Sequence, residues 1–129
     1  MIRFRAWHNT WEEMCEVKRI RFDDEGNITT VLVKGEAFGS NAHLEEIELM
    51  QSTGLKDKNG KEIFEKDILD YNGRKVIVKR HGSYAGFIYE FVDELKNRTA
   101  EWQPLHLSYY KFEIVGNIYE NPELLEVTK

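Results

Sequence analysis

The sequence has 129 residues, 41% of them hydrophobic and 32% charged, with 18 lysines and arginines against 23 aspartates and glutamates and a formal net charge of −5. That length predicts a single domain over residues 1–129, large enough to bury a core without a metal or disulfide staple. The acidic balance argues against non-specific attraction to phosphate backbones, and no apolar run approaches the length of a membrane span.

Cys15 is the only cysteine, which excludes an intramolecular disulfide and favours a reducing compartment. Arg3 and Arg5 fall where a signal peptide would build its apolar region, so the expected location is cytoplasmic.

Alternation with a period of two dominates the chain. Ile2, Phe4 and Ala6 alternate with Arg3 and Arg5, as in a strand with one buried face. Residues 18–33 read as a β-hairpin: Arg19-Ile20-Arg21-Phe22 alternates, Asp23-Asp24-Glu25-Gly26-Asn27 turns, and Ile28–Val33 is β-branched. Residues 34–43 hold two glycines and little periodicity, which predicts a loop. Leu44–Met50 fits both a helical stripe and a strand; a short strand over 46–50 is the expectation.

Two Asn-Gly pairs mark turns, because a type I′ hairpin needs positive φ at both central residues. Around Asn59-Gly60, outward pairing would oppose Lys58 to Lys61 and Asp57 to Glu62, like charges that weaken a regular ladder. Around Asn72-Gly73 the pairs are Tyr71 with Arg74, Asp70 with Lys75, Leu69 with Val76 and Ile68 with Ile77. Opposite charges meet and apolar pairs fall on both faces, so this hairpin over 67–80 is expected inside a curled sheet or barrel.

After the turn at 81–86, Phe87–Val92 reads as a strand and Asp93–Thr99 as a polar loop. Pro104 confines Trp102–Leu107 to an edge or bend. Phe112–Tyr119 reads as a last strand with a bulge at Gly116, and Asn121-Pro122-Glu123 has the cap, proline and carboxylate that open a short C-terminal helix.

Catalytic patterns are absent. His8, His43, His81 and His106 have no metal-ligand spacing, no Gly-x-Ser-x-Gly elbow occurs, and Gly82–Gly86 lacks the core of a phosphate loop. No cofactor, metal site or catalytic residue is therefore predicted. Arg74, Lys75, Lys79 and Arg80 surround the second hairpin and would be the nucleic-acid contacts of a small barrel, with Tyr84, Phe87 or Tyr89 as stacking surfaces. Against that, such aromatics ordinarily fill a core and such cations solubilise strand edges. Trp7, Trp11 and Tyr84 are the candidate protein contacts, as interface anchors if exposed and core residues if not.

Three stretches together resemble the YopX family of phage and prophage proteins: Ile2–Trp7, Glu48–Ile68 (ELMQSTGLKDKNGKEIFEKDI) and Val115–Leu125 (VGNIYENPELL). The resemblance implies a mainly β, barrel-like fold of curled antiparallel sheets, self-association, and an accessory role in a bacterial cytoplasm. It carries no family active site. Lys66 departs from the pattern, standing where the family often has glycine before Asp67-Ile68. The function expected is a protein-binding module that acts as a homo-oligomer on a host or phage protein, with a nucleic-acid-binding barrel as the alternative.

Overall fold

A computed structural model describes residues 3–83, 85–94 and 101–126. The chain divides between Gln51 and Ser52 into two compact units, each with its own antiparallel sheet and core.

In the N-terminal unit the strands are β1 (Phe4–His8), β2 (Glu13–Phe22), β3 (Ile28–Lys34), β4 (Gly39–Ala42) and the first half of β5 (Ile47–Lys56), in the order β4-β3-β2-β1-β5. The predicted hairpin forms, with Ile20 opposite Val31 and Val17 opposite Val33. Its apolar face joins Ala6, Cys15, Ala42 and Ile47 in one buried cluster. The segment expected to be a loop holds β4 instead. Gly35 N donates to Phe38 O at 2.8 Å, and Gly39–Ala42 pairs residue by residue with β3. Gly, Ser, Asn and Ala have little intrinsic strand preference, so the β3 ladder and the burial of Ala42 override local propensity here.

In the C-terminal unit the second half of β5 pairs with β6 (Glu62–Phe64). A five-stranded sheet follows in the order β10-β9-β8-β7-β11, built from β7 (Asp67–Tyr71), β8 (Arg74–His81), β9 (Gly86–Phe91), β10 (Trp102–Pro104) and β11 (Glu113–Asn117). The Asn72-Gly73 hairpin has the predicted register at all four pairs, with φ of 51° at Asn72 and 88° at Gly73. As expected, β7 and β8 are interior strands, β10 with its proline is an edge, and β11 shifts register between Ile114 and Gly116. The C-terminal helix is a single 3-10 turn over Pro122–Leu125. Most of the predicted 93–99 loop lies outside the described residues.

Neither sheet closes into a barrel: the hydrogen-bonded strand orders end on β4 and β6 and on β10 and β11, and in neither do the two end strands pair together. Two-sided burial of the β7–β8 hairpin has another cause. Leu69, Val76 and Val78 face one core with Ile63, Tyr89, Leu105 and Phe112. Ile68 and Ile77 face a second, with Val92 and the half-buried Ile118, Leu124 and Leu125. The alternating faces of the hairpin thus each find a partner in an open sheet.

The first Asn-Gly turn is not the two-residue loop that the dipeptide suggests. Lys56 pairs with Glu62, Asp57 N donates to Lys61 O, and positive φ falls on Gly60 (82°) but not on Asn59. This arrangement avoids the like-charged ladder pairs. Asp57 Oδ1 accepts from Asn59 N and Lys61 N, both at 2.9 Å. The turn after β2 repeats the geometry: Asp23 Oδ1 accepts from Glu25 N and Asn27 N, and Gly26 has φ of 85°. In both, the aspartate organises a wider turn that ends on a left-handed glycine.

Lys66 adopts φ of 70°, the conformation that a glycine would take without strain. Flanking hydrogen bonds hold it there: Lys66 N donates to Val78 O at 2.8 Å, and Ile118 N to Lys66 O at 3.1 Å.

Candidate interaction surfaces

Of the three proposed aromatic contacts, Trp7 is half-buried on β1, opposite Met14 and Glu48. Trp11 lies in the turn between β1 and β2, half-buried against the N-terminal core. Its indole stacks on the buried His8 ring at 3.9 Å with an interplanar angle of 8°, and its backbone N–H donates to His8 Nδ1 at 3.1 Å. That geometry makes Trp11 a structural plug over a turn in which Glu12 is forced to φ of 51°. Tyr84 lies outside the described residues.

The basic residues of the second hairpin are drawn apart by strand periodicity. Arg74 and Arg80 occupy one face of β8, Lys75 and Lys79 the other. Arg74 grips Asp93 through Nη2 at 2.9 and 3.2 Å and Nε at 3.3 Å, with its guanidinium 3.8 Å above the Phe91 ring. Lys79 binds Glu90 at 3.0 Å and Lys75 stands 4.0 Å from Asp70. Arg80 is exposed and also has a partner. Three of the four cations therefore face intramolecular carboxylates. A shallow groove of about 140 Å³ runs beside Arg74, Lys75, Asp93, Leu124 and Glu126, with charges of both signs in its walls.

Among the described residues, no cluster of histidine, cysteine and carboxylate side chains has the geometry to hold a metal ion. Burial, reinforced by the Glu13 carboxylate, pushes the Cys15 thiol up and away from the reactive thiolate.

Among the described residues of the C-terminal unit, the most exposed apolar surface is one that the period-of-two reading does not single out. Between β10 and β11 the chain makes two consecutive 3-10 turns, Leu105–Leu107 and Tyr109–Lys111. Leu105 and Phe112 are buried in the core and Tyr109 packs against it. Leu107 and Tyr110 point outward, 61% and 56% exposed, and Trp102 at the start of the segment is also exposed. Hydrogen bonds from Ser108 N to Leu105 O and from Lys111 N to Ser108 O, each 3.0 Å, fix the turns. The signal was the aromatic run Tyr109-Tyr110-Lys111-Phe112; its in-and-out pattern follows 3-10 turns, which a period-of-two reading passes over.

In the N-terminal unit, Phe38 is 68% exposed, with its ring 6.2 Å from Trp11, and Phe22 is also exposed.

The geometry can be set beside known proteins. The family model described as YopX protein matches residues 3–126. The crystal structure of protein EF1440 from Enterococcus faecalis is similar, with a TM-score of 0.67 and 33% identity over 98% of this chain and 99% of that one. No curated protein matches. With nearly its whole length matched by the family model and by a similar solved structure, the chain belongs to the YopX protein family.

Proposed function

We propose that this protein is a phage or prophage accessory module that binds protein and acts as a homo-oligomer in the bacterial cytoplasm. The observation that carries the reading is the outward display of Leu107 and Tyr110 on a segment whose alternate residues are anchored in the core. Large apolar side chains presented on a fixed backbone lose little further freedom on binding, and tyrosine is favoured at interface centres. The bacterial source of the similar structure and the lone buried cysteine support the setting. Nucleic-acid binding is the weaker reading, because three of the four hairpin cations face carboxylates and the four are split over two strand faces.

Sedimentation velocity over a wide concentration range tests the proposal, using the wild type and a Leu107→Ser, Tyr110→Ser double variant. Self-association weakened at least tenfold in the double variant supports it. A monomer at every concentration, or association indifferent to the substitutions, overturns it.

A further inference from the structure

The chain contains two copies of the dipeptide most prone to spontaneous deamidation, Asn59-Gly60 and Asn72-Gly73, in different settings. The reaction begins when the backbone nitrogen of the glycine attacks the asparagine Cγ. That nitrogen loses its proton to solvent base, the Cγ–Nδ2 bond breaks, and ammonia leaves a cyclic succinimide. Water then opens the ring at either carbonyl, giving aspartate or isoaspartate. The glycine nitrogen must therefore be accessible and the asparagine side chain free to swing onto it.

At Asn59-Gly60 hydrogen bonds hold both backbone nitrogens. Gly60 N donates to Asp57 O at 3.0 Å, and Asn59 N is bound by the buried Asp57 carboxylate at 2.9 Å. The Asn59 side-chain amide has only a long 3.4 Å contact with Glu113 Oε1, so the protection rests on the backbone bonds. At Asn72-Gly73 both residues are exposed, as Asn59 and Gly60 also are, so hydrogen bonding and not burial separates the two sites. Gly73 N has only a long 3.4 Å contact with Asp70 Oδ2, and the Asn72 side-chain amide has no partner among the described residues.

We propose that Asn72 is a self-modification site, converted by water to aspartate and isoaspartate in the folded protein, while Asn59 is protected by the Asp57 turn. The proposal is independent of the binding reading above. The product adds a negative charge beside Asp70. In its isoaspartate form it also adds a methylene to the backbone of a turn that needs positive φ at both central residues. The Tyr71–Arg74 pair and the Arg74–Asp93 bridge next to it would loosen.

Incubation of the full chain at mildly alkaline pH, followed by peptide mapping with mass spectrometry, reads both sites at once. The same chain in urea gives the intrinsic ratio of the two rates. The expected result is a native ratio of Asn72 to Asn59 conversion at least tenfold above the ratio in urea. A native ratio equal to or below the urea ratio, or no conversion at Asn72 while the unfolded chain converts, overturns the proposal.

Discussion

Asp57 Oδ2 accepts a hydrogen bond from Ile114 N at 2.9 Å, tying a hairpin tip to the final strand fifty-seven positions away. Lys58 N donates to Phe112 O at 2.9 Å alongside it, so the tip is clasped from both sides. The carboxylate accepts from three backbone N–H groups in all while being almost fully buried. Replacing it with asparagine turns one acceptor into a donor against an N–H. Asp57→Asn is expected to cost about 2–3 kcal/mol, read as a fall in urea midpoint at unchanged slope. The equivalent change at the exposed Asp23 leaves the midpoint nearly unmoved.

The same residue predicts a pH dependence. Burial pushes the Asp57 carboxyl up, but the N–H groups of Ile114, Lys61 and Asn59, with the Lys61 charge, pull it further down, and the net value lies below the ordinary one. A carboxyl with a depressed folded pKa binds its proton more readily in the unfolded chain. Its contribution is therefore complete above the ordinary aspartate value of about 3.9, and it is lost as pH falls through the lower folded value. Acid unfolding of Asp57→Asn should be shallower than that of the wild type below about pH 4; identical acid limbs would refute the assignment.

Lys66 supplies a prediction of opposite sign. Relief of a left-handed lysine outweighs the added entropy of a glycine in the unfolded chain, so Lys66→Gly should stabilise by about 0.5–1 kcal/mol. Lys66→Val, β-branched at the same φ, should destabilise by at least as much. Urea midpoints of the two variants decide it.

Trp11 is expected to matter for folding more than for binding. Trp11→Ala removes a ring stacked on His8 and half-buried against the N-terminal core, at a cost of about 2–3 kcal/mol. His8→Leu leaves Trp11 N without its acceptor and should cost about 1–2 kcal/mol. Thermal unfolding measures both, and the oligomeric state of the folded variants should match that of the wild type.

The Arg74–Asp93 pair closes the set. Arg74→Lys keeps the charge but loses the forked contact and the planar stack on Phe91, and should cost no more than about 1 kcal/mol because the pair is half-exposed. A double-mutant cycle with Asp93→Asn measures the coupling.

Legibility followed the range of the interaction. The Asn72-Gly73 register could be read because four successive cross-strand pairs are complementary and the turn residues meet their own φ requirement. The Asn59-Gly60 turn could not, because Asp57 reorganises it by binding its own backbone and that of Ile114, a residue from a distant part of the chain. Strand β4 escaped notice for a related reason: Gly39-Ser40-Asn41-Ala42 becomes a strand only beside β3. Among the candidate contacts, Trp7, Trp11 and the four cations were chosen by residue type, and type does not reveal a partner. The hairpin register already sets Asp70 opposite Lys75, whereas His8 beneath Trp11, Asp93 beside Arg74 and Glu90 beside Lys79 are brought in by the fold.

Residue order alone was enough to determine the antiparallel β class, the two turn positions, the interior place of the β7–β8 hairpin and the family. Each rests on local periodicity, turn chemistry or a motif contiguous in the chain. Tertiary structure decided that neither sheet closes, that Lys66 takes a left-handed conformation, and that Leu107 and Tyr110 face outward while Leu105 and Phe112 do not. Those outcomes depend on which surfaces meet across long separations, and one-dimensional periodicity carries no record of that.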